Sequence, residues 1–194
     1  MKFELRTDGF HLRNAAPLSS AMSGAPAPAR LCALWFFALL AIALGALALR
    51  ASRLGERPMH VDEAVQAWKA GDLFEGRGYR FNPHEYHGPT LYYFVQPLLR
   101  LSGAKTFAQT RETTYRLVPV IFGVGLFFLL PLIAPGLGCA ASLLAALLLA
   151  VSPAFAYFSR FFIQEMILVF FSFALIGCGW RWWRKASGGV RRGT

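Results

Sequence analysis

Long apolar segments without basic residues are the feature that most constrains this chain. Arg, Lys and His are absent from residues 31–49, 117–159 and 161–180. A helix needs about 20 mainly apolar residues to cross a hydrocarbon core of roughly 30 Å, because each residue adds about 1.5 Å. These segments therefore predict a protein built from membrane-spanning helices.

The segments divide into four predicted spans, 31–49, 117–134, 138–157 and 161–180. Pro135 and Gly136 separate the second from the third and predict a tight hairpin. The alternative for the first span is a cleaved signal peptide, but its 19 apolar residues exceed the usual length and Arg50 follows directly. We predict an all-α, multi-pass membrane helical bundle of about four transmembrane helices.

Charge is low and confined to the ends and one central stretch. Charged residues make up 15% of the chain, below the roughly 25% usual for soluble domains. The net charge of +10 would suggest nucleic-acid binding if the basic residues covered one face of a soluble protein, but they do not. We therefore expect membrane lipid, and no nucleic acid, as a partner.

Basic residues flanking the spans predict the orientation and the domain plan. Residues 1–30 are predicted to be a flexible cytoplasmic tail, with Met22 an equally plausible start, and residues 181–194 a basic cytoplasmic tail. Residues 31–180 are predicted to form the membrane domain, in the cell membrane, with 51–116 as an external loop. The basic residues of 50–57 oppose this orientation, but the same loop carries seven acids.

The external loop contains the segment 91–101, whose apolar residues recur at helical spacing. Eleven residues are too few to span, so we predict an amphipathic helix lying in the interface, with Tyr92 and Tyr93 at headgroup level. This placement puts Asp62 and Glu165 on the same side of the membrane.

Two acids, Asp62 and Glu63, lie soon after the first span, in a run that favours a short helix up to a stop at Gly71. Carboxylates in a first helical turn are stabilised by the partial positive charge of the N-terminus. They can accept a proton from a hydroxyl or hold a divalent cation on a phosphate. The alternative is that they only cap the helix.

A second group of candidates lies in residues 79–90, a loop shaped by Pro and Gly and dense in His, aromatic and acidic residues. Imidazole and carboxylate together suit zinc or manganese, and aromatic rings beside a carboxylate suit sugars. The candidates for sugar or metal binding are His60, His84, Glu85, Tyr86 and His87. The alternative is a packed loop with solvated histidines.

Arg160 and Glu165 form the third group, in the turn before the last span. Ionisable groups at this depth are expensive and indicate a paired or functional site. Arg160 can bind a lipid phosphate through two parallel hydrogen bonds. The alternative is a local ion pair between Arg160 and Glu165.

Four pieces of sequence carry a family resemblance: Asp-Glu at 62–63, Gly-Pro-Thr-Leu-Tyr-Tyr at 88–93, Arg-Leu-Val-Pro at 116–119, and Ser-Arg followed by Glu at 159–165. They resemble the N-terminal part of GT-C class membrane glycosyltransferases, in particular the prokaryotic flippase-activity-associated family, related to dolichyl-phosphate-mannose protein mannosyltransferases. The resemblance covers residues 57 to about 170, and the pieces 60–64 and 86–89 are its most specific parts. Members usually have ten or more spans, so we expect a truncated chain or one part of a split protein.

The resemblance implies sugar transfer from a polyprenyl phosphate at the external face. Asp62 matches the catalytic acid of the first external loop and Glu165 that of the second, with Glu63 or Glu165 tuning the base or binding a metal. A downstream or partner membrane subunit is then expected. Two alternatives stay open: a non-catalytic accessory of lipid-linked sugar translocation, and a metal-binding membrane protein built on His60, His84 and His87.

Overall fold

The computed structural model describes residues 29–84 and 87–190, and these residues form helices and turns without a strand. The helices are α1 (Ala29–Ala51), α2 (Val61–Phe74), α3 (Thr90–Leu101), α4 (Glu112–Leu137), α5 (Cys139–Val151), α6 (Pro153–Phe158) and α7 (Glu165–Val190). A 3₁₀ turn, Phe107–Gln109, precedes α4. The predicted all-helical membrane bundle is confirmed.

Three of the described helices are long and apolar enough to cross a membrane: Leu31–Ala51, Glu112–Leu137 and Glu165–Ser187. The third predicted span is divided instead into α5 and α6 at Ser152. Pro153 begins α6 and has no N–H to continue the helical hydrogen bonds of α5. The predicted tail 1–30 lies outside the described residues, except for its last two, which begin α1.

Several helix ends differ from the predicted ones. α2 runs through Gly71 to Phe74, and α4 continues past Pro135 until Gly138, whose φ of 84° ends it. The last span begins at Glu165, not at residue 161, and continues through the basic residues 181–185. α3 matches the predicted short helix, but Tyr92 is fully buried, while Tyr93 is exposed.

α4 is the central helix and contacts α1, α3, α5 and α7. Two hydrophobic clusters lie along it. The lower cluster packs α1, α4 and α5 around Leu39, Phe127 and Ala146. The upper cluster packs α2, α3 and the start of α4 around Tyr92 and Phe162. The upper cluster is the platform on which the candidate site is built.

Candidate functional site

The start of α2 is held by a capping box. The Nδ1 atom of His60 accepts a hydrogen bond from the Asp62 N–H at 3.3 Å, and the Glu63 carboxylate accepts one from the His60 N–H at 3.2 Å. Reciprocal bonds of this kind satisfy N–H groups that have no partner inside the helix. His60 and Glu63 therefore have a capping role.

Glu63 is completely buried and lies at the centre of a polar network. Arg116 donates to both of its carboxylate oxygens, each at 2.8 Å, and Arg57 approaches at 3.3 Å. The Phe162 N–H donates to the same carboxylate at 2.9 Å. One side chain thus joins α2, the start of α4 and the turn before α7.

This network sets the charge of Glu63. Burial by itself would raise the pKa of the Glu63 carboxyl group, because it penalises the charged form. The hydrogen bonds from Arg116 and from the Phe162 and His60 N–H groups outweigh burial and lower that pKa below its ordinary value. Glu63 is therefore ionised, with its oxygens occupied by donors.

Asp62, the residue before Glu63, has the opposite environment. Its side chain is 69% exposed, and its nearest ionisable neighbour is His60, with Nδ1 3.3 Å from Oδ2. The two predicted acids are therefore separated by the helix: Glu63 faces the interior and Asp62 faces outward. Of the two, Asp62 is the one that an incoming hydroxyl group can reach.

Four arginines line a cavity of about 320 Å³ beside this network, which we call the arginine pocket: Arg53, Arg57, Arg116 and Arg160. The Arg160 Nη2 atom donates to the carbonyl oxygens of Ser52, at 2.7 Å, and Arg53, at 3.4 Å. The apolar part of the wall includes Leu49 and Tyr157.

The arginine pocket carries excess positive charge. Arg116 and Arg57 share the single carboxylate of Glu63, and exposed Arg53 has Glu56 at 3.7 Å. Within the described residues, Arg160 bonds only to backbone carbonyls, so the predicted alternative of an Arg160–Glu165 ion pair does not form. Four guanidinium groups against two carboxylates favour an anionic ligand.

Phe161 connects the arginine pocket to Asp62. The Arg57 guanidinium lies 4.8 Å from the centre of the Phe161 ring and 5.6 Å from that of Tyr157. On its other side, the Phe161 ring centre lies 5.6 Å from that of His60, whose Nδ1 approaches Asp62. An anion in the pocket and a hydroxyl at Asp62 would therefore be neighbours.

Glu165 begins α7 and is exposed. It borders a largely apolar cavity of about 250 Å³ between α6 and α7, together with Phe155, Phe158 and Met166. Asp62, Arg160 and Glu165 lie at the same end of the bundle, because the turn 159–164 bonds to both Glu63 and the Gly88 carbonyl, the latter through Gln164 at 3.2 Å.

The loop 79–90 is described except for Glu85 and Tyr86, which lie outside the described residues. His84 is exposed, and the His87 carbonyl accepts a hydrogen bond from the Tyr79 hydroxyl at 2.9 Å. Among the residues that the structure describes, no three His, Cys, Asp or Glu side chains come close enough to hold a metal ion. The described part of the loop therefore does not assemble the predicted histidine site.

The sequence reasoning gave Arg57 and Arg116 no role at the site, although Arg116 begins the Arg-Leu-Val-Pro piece. Both could have been found by one signal, since each is a basic residue close to the end of an otherwise uncharged span. It also missed the buried pair in which the Tyr92 hydroxyl donates to Gln66 at 2.5 Å. Burial raises the pKa of Tyr92 to about 12, so this hydroxyl stays protonated.

The family profile of the dolichyl-phosphate-mannose-protein mannosyltransferases matches residues 90–191, just over half of the 194 residues. The chain belongs to this family and is an integral membrane protein. The matched range contains Arg116, Arg160 and Glu165, while Asp62 and Glu63 precede it. No curated protein and no solved structure matches the chain.

Proposed function

We propose that this protein takes part in transferring a sugar from a polyprenyl-phosphate-linked donor to a hydroxyl acceptor at the external face of the cell membrane. Family membership supports glycosyl transfer from such a donor. The observation that carries the proposal is the arginine pocket, which lies beside spanning helices and connects through Phe161 and His60 to the exposed carboxylate of Asp62.

In the proposed reaction, the acceptor oxygen attacks the anomeric carbon of the donor sugar from the face opposite the phosphate. The bond between that carbon and the phosphate oxygen breaks, and the configuration inverts. Asp62 takes the hydroxyl proton as general base. The leaving polyprenyl phosphate keeps the electron pair, and the guanidinium groups of Arg57 and Arg160 stabilise its charge.

The two other acids have separate proposed roles. Glu63 positions the start of α2, and through it Asp62, because its oxygens are engaged by Arg116, Arg57 and backbone N–H groups. Glu165 borders the apolar cavity between α6 and α7, where it would meet the acceptor or a divalent cation. A downstream or partner membrane subunit would supply the rest of the acceptor site.

Asp62→Asn tests the mechanism in membranes containing the full chain. We expect loss of labelled mannose transfer from polyprenyl-phosphate mannose, since the amide keeps the shape but cannot take the proton. Glu112→Gln is a matched control, because Glu112 is also an exposed acid in a first helical turn. Near-normal transfer by Asp62→Asn would remove the proposed base and favour the accessory alternative.

The external placement of the site is tested with single cysteines in a chain whose native Cys32, Cys139 and Cys178 are replaced by Ser. Lys105→Cys, at the site end, should react with an impermeant thiol reagent in intact cells. Ser187→Cys, near the end of α7, should react only after lysis, because we propose that both termini are cytoplasmic. The reverse pattern would place the site on the cytoplasmic side.

A further inference from the structure

A second polar cavity, separate from the arginine pocket, lies against the C-terminal half of α2. Its volume is about 550 Å³, and its walls are α2 and the loop that follows. This volume falls within the range of roughly 300 to 1,000 Å³ typical of ligand sites. We call it the α2 cavity, and none of the residues proposed above for donor binding or proton transfer lines it.

The α2 cavity combines an aromatic surface with basic side chains. Trp68 is 56% exposed although it is the largest apolar side chain of α2, and Tyr79 provides a second ring. The charged residues of the wall are Lys69, Arg77, Arg80 and Asp72, of which Asp72 is paired with Arg77. Sugar rings stack their C–H faces on aromatic rings, and guanidinium groups pair with carboxylate or phosphate.

The shape of the cavity is held by an ion-pair network. Arg77 donates to Asp72 at 2.8 Å and to Glu75 at 2.5 Å, and Glu75 also accepts from the Phe107 N–H at 2.7 Å. These bonds tie the loop after α2 to the helix and to the 3₁₀ turn. Asp72 and Glu75 therefore neutralise Arg77, while within the described residues no acid pairs with Arg80.

Helix geometry places the Lys69 and Asp72 side of the α2 cavity on the side of α2 that carries Asp62, whereas Trp68 is rotated by about 120° from Asp62. Lys69 and Asp72 follow Asp62 by seven and ten residues, which returns them to one side of a helix with 3.6 residues per turn. The rise along α2 from Asp62 to these residues is about 10 to 15 Å. A saccharide of two or three rings can therefore extend along α2 from the cavity to the carboxylate.

We propose that the α2 cavity binds an acidic saccharide, with Trp68 stacking against a sugar ring and Arg80 pairing with its carboxylate or phosphate. Its role as acceptor subsite rests on the proposed function, since the bound saccharide would present a hydroxyl group to Asp62. Binding itself does not depend on catalysis. A cavity of about 550 Å³ bordered by the exposed ring of Trp68 favours a discrete saccharide over a flat anionic lipid surface.

The test is isothermal titration of the full chain, in a neutral detergent, with a galacturonic acid disaccharide and with mannose 6-phosphate. We expect at least one to bind, and galactose disaccharide or mannose to bind about tenfold more weakly, because the charged hydrogen bond is missing. Trp68→Ala and Arg80→Gln should each weaken binding about tenfold, and Trp68→Phe should retain most of it. The exposed residues Trp182 and Arg100 give the controls Trp182→Ala and Arg100→Gln, which should bind like the unchanged protein.

Absence of binding to both acidic probes would overturn the proposal, as would equal binding of the neutral probes or unchanged binding by Arg80→Gln. Binding to phosphatidylglycerol vesicles that requires Trp68 and Arg80, without saccharide binding, would replace it with a lipid-surface role. Asp62→Asn should bind the acidic probe normally. Loss of transfer with retained binding therefore separates the catalytic proposal from this one.

Discussion

Among the described residues, two arginines are completely buried, one beside each hydrophobic cluster, and their partners differ. Arg116, in the upper cluster, forms a bidentate ion pair with Glu63 and donates to the carbonyls of Leu54, Arg57 and Pro58. Arg50, at the end of α1, has only carbonyl partners among the described residues. Its guanidinium also lies 5.7 Å from the ring centre of Phe127 in the lower cluster.

The partners of Arg50 are explained by the break between α5 and α6. In a continuous helix the Leu149 carbonyl would accept from the N–H of residue 153, but that residue is Pro. Arg50 donates to this carbonyl at 2.9 Å and to the Ala150 carbonyl at 3.3 Å. A buried cation therefore satisfies carbonyls that a proline leaves without a donor, at the negative end of α5.

The comparison shows two ways to hold a buried cation. At Arg116 the counter-charge is itself buried, so removal of either partner leaves a charge in a low-dielectric interior. At Arg50 the partners are neutral, and removal of the arginine leaves only unpaired carbonyls. The upper cluster should therefore be the more sensitive of the two to a single substitution.

Arg116→Ala should have the largest effect. It leaves the buried Glu63 carboxylate with only one arginine partner, the partly exposed Arg57. Loss of one partner of a buried ion pair costs roughly 3 to 5 kcal/mol. Thermal unfolding in detergent measures this cost. The double variant Arg116→Met with Glu63→Gln should recover much of it, and a double variant as unstable as Arg116→Ala would show that packing, not charge, dominates.

Arg50→Ala should have the next largest effect, about 1 to 3 kcal/mol, for the unpaired carbonyls. Pro153→Ala restores an N–H that can bond to the Leu149 carbonyl, so the double variant should be less destabilised than the sum of the two single changes. Simple additivity in this double-mutant cycle would contradict the explanation of Arg50 as a substitute for the proline N–H. Thermal unfolding of the four proteins completes the cycle.

Acid should weaken the upper cluster through Glu63. Because the pKa of its carboxyl is lowered in the folded protein, Glu63 contributes stability above its ordinary value of 4.5, and this contribution is lost as the pH falls through the lowered pKa. The melting temperature should therefore fall on acidification below pH 4.5 by more in the unchanged protein than in Glu63→Gln. An equal fall in the melting temperature of both proteins would assign the acid sensitivity to groups other than Glu63.

Arg160→Ala should have the smallest effect on stability, below about 1 kcal/mol, because this arginine is partly exposed and lacks an ion pair in the described part of the chain. Its effect on binding of polyprenyl phosphate should be large, and Arg160→Lys should also bind less well, since an ammonium group lacks the planar two-bond geometry. Arg100→Ala is the exposed control. Unchanged lipid affinity in Arg160→Ala would end its role in phosphate binding.

Several features of the site could be predicted because they depend on neighbours in sequence. Acids in the first turn of α2 and an arginine between two spans are visible as single residues against an apolar background. The roles of these residues could not be predicted from their neighbours in sequence. Glu63 and Asp62 are adjacent and chemically alike, yet Arg116 and the turn before α7 enclose Glu63, while Asp62 stays exposed.

The helix ends show the same limit. Gly71 predicts a stop, but α2 continues through it, and a Cβ atom at this position would collide with the ring of Phe107. Packing against that ring outweighs the roughly 1 kcal/mol that Gly costs inside a helix. Residues 161–164 were predicted to be helical, but the Phe162 N–H is taken by Glu63, so α7 begins only at Glu165.

By itself, the sequence determined the all-helical class, three of the four predicted spans and the short helix α3, because hydrophobic length and helical spacing are local properties of the chain. Only the tertiary structure decided which charges are paired. Glu63 and Arg116 are 53 residues apart, and Arg50 and Leu149 are 99 apart. The energy of a buried charge depends on the partners that folding brings to it, and no local pattern records them.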